Sequence, residues 1–122
     1  MAPTNNAVRV QAEQQWQAVC SRQDLVAQSG VVVWHDGAQV ALFYLPDAPG
    51  AQLHAIDNRD PESGANVIGR GIVGSLKGDL VIAAPLYKQH YRLADGVCIE
   101  APEQRLRTWP VRLNGDTVEI AG

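Results

Sequence analysis

Three short turn signals constrain this chain more than any other feature. Asp36-Gly37 separates VVVWH from AQVALFYL, Lys77-Gly78 separates GIVGSL from DLVIAAP, and Asn114-Gly115 separates RTWPVRL from DTVEI. Each pair lies between runs rich in β-branched and aromatic residues. That is the strongest local hairpin signature, because a two-residue loop must adopt positive φ to follow the twist of its strands. A fourth turn, at Asp95-Gly96, divides HYRL from VCIE. Roughly ten short strands follow, near 14–20, 31–35, 39–45, 52–56, 71–76, 79–83, 90–93, 97–99, 107–113 and 116–120. The run from Val40 to Leu45 is apolar at both parities, so that strand is expected to be covered on both faces, as in a sandwich or small barrel.

Helix signals are few. Ser21 followed by Asp24 reads as a capping box opening a turn or two over RQDLVAQ, with Gly30 as its stop. A second helical turn is expected near Pro102 to Leu106. The fold class is therefore all-β, a small antiparallel sandwich or barrel with one or two helical turns. The boundaries read as a polar tail over 1–12 and one β domain over 13–122.

Composition narrows the function. With 122 residues, 46% of them hydrophobic, the chain can bury a core without staples. A net charge of −3 argues against nucleic-acid or anionic-membrane partners, which are held by clustered Lys and Arg. No apolar run approaches the ~18 residues of a membrane span. The first dozen residues lack a secretory pattern, so a cytoplasmic location is expected. Cys20 and Cys98 stand in no local motif and read as reduced, buried or half-buried thiols. His35 and His54 read as half-exposed strand residues without a third ligand. Trp16, Trp34 and Trp109 read as core or barrel-lid residues, since no basic residues interleave them as in a base-stacking platform. GRGIVG precedes no helix, so its glycines serve the backbone rather than a nucleotide.

One connection is long. DNRDPESGANVIGR, residues 57–70, separates two strands, and such loops are commonly functional. It is joined to loop 84–89 by the hairpin on Lys77-Gly78, so both loops should emerge at one end, side by side. Two adjacent loops flanking a hairpin, the second carrying a Pro and followed by an aromatic and a turn Gly, resemble a Rieske iron–sulfur domain. In that family one loop carries Cys-x-His and the other Cys-Pro-x-His. The closing APEQRLRTWPVRLNGDTVEI is also similar to the family's ending.

The ligand positions fall here on Asp60, Glu62, Ala84 and Tyr87. A cluster of this type needs two thiolates and two imidazoles, so none is expected on this chain. NRDP, PLYKQ, the intervening GRGIVG and the early Trp16-x-x-Val19-Cys20, in this order, resemble the small subunit of assimilatory NAD(P)H-dependent nitrite reductase. The resemblance implies a partner, the large subunit, carrying FAD, an iron–sulfur cluster and sirohaem and reducing nitrite to ammonium. It assigns this chain an assembly, stabilising or regulatory role with no catalytic residue of its own. Alternatives from other classes are a Rieske-type ferredoxin feeding an oxygenase and a free-standing β-barrel binding module.

The carboxylates of Asp60 and Glu62 read as turn and solvated residues rather than as an acid–base pair. A metal clamp is worth about 10 kcal/mol. In its absence the loops must be held by ion pairs among Arg59, Asp60, Glu62, Arg70 and Lys88, or by packing of Pro61, Leu86 and Tyr87. Packing is the stronger device, at roughly 1.5–3 kcal/mol per large side chain against ~0–1 for an exposed pair. Leu86 and Tyr87 are therefore expected to plug the former cluster site, leaving Arg59, Lys88, Gln89 and His90 as a docking surface for the large subunit.

Overall fold

The computed structural model describes residues 15–86 and 88–122. The proposed 1–12 tail and Tyr87 lie outside the described residues. Among the described residues, ten strands form three antiparallel sheets. β1 (Gln17–Ser21), β10 (Thr117–Ile120) and β9 (Val111–Asn114) form the first, in the order β1-β10-β9. The second has the order β2-β3-β4-β8, from Ser29–His35, Ala38–Tyr44, Leu53–Asp57 and Thr108–Trp109. The third is β5 (Ile72–Leu76), β6 (Asp79–Ala83) and β7 (His90–Arg92).

The turns carry the hairpins as their chemistry requires. Asp36 and Gly37 both have positive φ, as do Lys77 and Gly78, which gives two mirror-type turns matched to strand twist. The third differs by one residue. Asn114 pairs with Thr117, so the turn's central residues are Gly115 and Asp116, and only Gly115 has positive φ.

β3 holds the layers together. Val40, Ala41, Leu42 and Phe43 are all fully buried, as its two-sided apolar pattern demands. Alternation sends Val40 and Leu42 to one face, where they meet Ala55, Trp109, Val118 and Ile120. Ala41 and Phe43 face the other way, into a core with Ile56, Ile68, Ile82, Tyr91 and Leu106. The middle sheet is thus sandwiched between the β1-β10-β9 sheet and the β5-β6-β7 unit that bears the two loops.

Several expected elements are corrected. The capping box at Ser21 forms, with Ser21 N donating to Asp24 Oδ2 at 2.9 Å, but it opens only a 3-10 turn, Arg22–Asp24. Gly30 is no helix stop; it lies inside β2. A Cβ there would sit 2.4 Å from the Gly69 carbonyl oxygen, so this glycine admits a close backbone approach. The stretch 102–106 is no helix but one turn, Gln104 N to Ala101 O at 2.8 Å, followed by an extended bridge from Arg105 to Val97. The second 3-10 turn is Ile68–Arg70, inside the long loop. The strand expected over 107–113 breaks at Pro110, which has no N–H to continue a ladder, and its halves enter different sheets. Residues 97–98 make only isolated bridges.

Two side-chain expectations also change. His35 is 5% exposed rather than half-exposed, and neither ring nitrogen has a partner among the described residues. Trp34, expected in the core or on a barrel lid, is 68% exposed, because β2 is an edge strand and alternation turns residues 32 and 34 outward. Trp109 is buried as expected, and Trp16 is half-buried beneath the Arg112 guanidinium at 4.2 Å.

Candidate functional site: the paired loops

Loop 57–70 closes on itself. Asp60 N donates to Ala65 O at 2.8 Å, Gly64 N to Asp60 O at 2.7 Å, and Glu62 N to the Asp60 side-chain Oδ1 at 2.8 Å. Asp60 is therefore a turn residue, as read, and it is fully buried. Its Oδ2 has no partner among the described residues. Glu62 is exposed and accepts from Gln104 Nε2 at 2.6 Å, which ties the first loop to the segment after β7.

Asn58 anchors the same loop to the sandwich. Buried, it donates from Nδ2 to Gln39 Oε1 at 2.9 Å and accepts at Oδ1 from Gly69 N at 2.7 Å. Its backbone also binds Gln39 and Ile68, at 3.0 and 3.1 Å. Nothing in the sequence marks it beyond an Asn in a polar loop. Asn58→Ala leaves the half-buried Gly69 N–H without its acceptor, so an expected loss of about 1–3 kcal/mol should appear as a lower urea midpoint at unchanged slope.

Loop 84–89 is a tight closed turn. Ala84 N donates to Gln89 O at 2.8 Å and Lys88 N to Ala84 O at 3.0 Å, with Lys88 at φ +58°. The two loops do meet at one end, and Tyr91 stands between them. Its ring is fully buried and its hydroxyl donates to Gln89 Oε1 at 3.0 Å. Burial, followed by the nearby Asp60, Cys98, Glu62 and Glu100, holds the Tyr91 hydroxyl far above the ordinary tyrosine range. Glu100 carries the other side of the tip. It accepts from His90 N at 2.8 Å and meets His90 Nδ1 at 2.5 Å. Burial works against ionisation of Glu100, but the His90 bonds outweigh it and hold this carboxyl low.

Leu86 does not plug the space between the loops. It is 53% exposed, and Pro61 is exposed too. Tyr91, Ala84 and Ile68 pack in the core beneath the loops instead. Nor do Arg59, Asp60, Glu62, Arg70 and Lys88 pair with one another among the described residues. Asp60 is sealed within its own loop, and Glu62 is taken by Gln104. Of the four docking residues, Arg59 and Lys88 are exposed, whereas Gln89 serves Tyr91 and His90 serves Glu100.

Could these residues hold a [2Fe–2S] cluster? They do not fit one. Ala84 offers no donor atom and is buried. Asp60 supplies a carboxylate whose Oδ1 already accepts from the loop backbone. Cys98 is a buried thiol with Sγ 3.7 Å from Glu100 Oε1, and burial raises its pKa, the reverse of what a metal ligand needs. Cys20 packs instead on the far core, against Val118 and its neighbours.

A β sandwich with two side-by-side loops on a three-stranded unit defines the class: the model of the Rieske-like [2Fe-2S] domain family matches residues 15–121. Within that class, the chain belongs to the nitrite reductase small-subunit family. It is 36% identical over 110 residues to the nitrite reductase (NADH) small subunit of Salmonella typhimurium, covering 88% of this chain and 98% of that one. The solution structure of the E. coli protein NirD superposes with a TM-score of 0.79 at 32% identity, covering 89% of this chain and 97% of the other. A nitrite reductase [NAD(P)H] large subunit from Klebsiella oxytoca is also 39% identical over 105 residues, which span 86% of this chain but 11% of that longer one.

Proposed function

We propose that this chain is a cluster-free small subunit that binds the large subunit of a cytoplasmic NAD(P)H nitrite reductase, in nitrate assimilation. Its contribution is to assemble, stabilise or regulate that subunit. The observation that carries the reading is the pair Asp60 and Ala84 at the two thiolate positions, on a chain similar over nearly its whole length to nitrite reductase small subunits. Without thiolates the chain cannot relay electrons through a cluster of its own. The route from nicotinamide to nitrite then lies wholly on groups of the large subunit, namely FAD, an iron–sulfur cluster and sirohaem. The Klebsiella oxytoca protein supports the choice of partner, since there a region similar to this chain is part of a large-subunit polypeptide.

This chain's own residues do structural work in that reading. Asn58, Gln104 and Tyr91 hold the tip in one shape, and the exposed Arg59 and Lys88 present charge there. Co-expression with the large subunit tests the proposal. The expected result is co-purification in fixed ratio, a colourless small subunit when isolated, and lower nitrite-dependent NAD(P)H oxidation or a lower Tm for the large subunit alone. Stoichiometric iron with visible [2Fe–2S] absorption in the isolated chain would overturn the cluster-free reading. Failure to co-purify would overturn the subunit reading.

A further inference from the structure

We infer that the large subunit is gripped on the flank of the molecule, across the outer face of β2, rather than at the loop tips alone; this rests on the subunit reading above. Trp34 is 68% exposed and Val32 is 45% exposed, two residues apart on the same face of an edge strand. Tryptophan is ordinarily among the more buried residue types, so an indole left in water near the C-terminal end of β2 marks a surface that is covered elsewhere.

The neighbours of this indole extend the face. A groove of about 260 Å³ runs beside Trp34 and is walled on its far side by Arg59 and Asn66 of the long loop. Val32 lies against Gly69, where a Cβ would come within 2.8 Å of its methyl. Arg70 follows at once, and Ile72, at 76% exposure, opens β5 two residues later. Neither Arg59 nor Arg70 makes an ion pair among the described residues. Asp57, half-buried in the groove, lies within the fields of Arg107 and Arg59, so Arg59 is partly offset there while Arg70 has no such carboxylate among the described residues.

An exposed Trp beside Val32, flanked by the Arg59 and Arg70 guanidinium groups, matches the Trp and Arg enrichment of interface hot spots. On a chain of net charge −3 this local excess of cations calls for a partner surface that is apolar at its centre and carries carboxylates at its rim. The occupant assigned to this face is the large subunit. In the Klebsiella oxytoca protein a region similar to this chain is tethered within a large-subunit polypeptide, where effective concentration lets a face of modest area stay engaged.

Trp34→Glu and Arg70→Glu test the inference, with Kd for the purified large subunit measured by titration at two salt concentrations. Both side chains are exposed, so each variant is expected to fold, which a thermal melt verifies; Ile72→Glu is the second apolar probe. Binding should weaken about 30-fold for Trp34→Glu, and Arg70→Glu should also lose most of the salt dependence. Parent-like affinity for both variants would place the contact elsewhere and overturn the flank interface. A parent chain that does not bind at all fails the subunit reading, and this inference with it. Self-association of the isolated chain abolished by Trp34→Glu would assign the face to a second copy and overturn it equally.

Discussion

Tyr91→Ala is expected to cost about 3–5 kcal/mol, a third or more of the stability of an ordinary domain of this size. The ring is fully buried between the two loops and the middle sheet, in one cluster with Phe43, Ile68, Ala84 and Leu106. Truncation opens a cavity at the point where the loops converge, and the surrounding backbone is already closed by its own hydrogen bonds and can relax little. Tyr91→Phe separates packing from polarity. It keeps the ring and removes only the bond to Gln89 Oε1, so about 1 kcal/mol should be lost. Urea unfolding of the two variants checks both values. A small loss for Tyr91→Ala would mean that the loops are held by their hydrogen bonds alone.

Gly96→Ala should be nearly as damaging, at about 3 kcal/mol or more, although it adds a single methyl group. Gly96 has φ +79°, and a Cβ there would lie 2.0 Å from the Leu106 carbonyl oxygen. The Leu106 N–H donates to Gly96 O at 2.8 Å, and Gly96 N donates to Arg92 O at 2.7 Å. Relieving the clash therefore means pulling the 99–106 segment off the hairpin, which also carries Gln104 away from Glu62. Gly78→Ala is the control. Its φ is +86°, but nothing lies within 4 Å of the added Cβ, so only the left-handed strain of about 1–2 kcal/mol applies. Thermal melts of the two variants should differ clearly. Equal losses would show that the close approach at Leu106 is absorbed without cost.

The hairpins were legible because their signals are local. Asp36-Gly37 favours positive φ at both positions and Lys77-Gly78 at its Gly, and both turns appear where the residues placed them. The third turn slipped by one residue, since Asn114-Gly115 and Gly115-Asp116 are both acceptable turn pairs and only strand pairing chooses between them. The juxtaposition of the two loops was equally readable, as it follows from connectivity through a single hairpin. What fills the space between them was not. Leu86 and Tyr91 are both large residues near a loop, and only the sheet beneath decides that Tyr91 points inward and Leu86 outward. Asn58, Gln104 and Glu100 escaped notice for a related reason: each acts on a partner more than nine residues away, and polar residues in loops carry no pattern.

The sequence by itself determined the all-β class, the two-faced strand at Val40 to Phe43, the paired loops and the lack of Cys and His at positions 60, 62, 84 and 87. Turn propensity, apolar parity and side-chain chemistry are properties of a few adjacent residues, so they survive without a fold. The tertiary structure alone decided the burial of residues that no apolar pattern marks. Asp60 is sealed in its loop, His35 is enclosed, and Trp34 stands in water on an edge strand. Burial depends on which sheet covers which, and that packing is set by the whole chain at once.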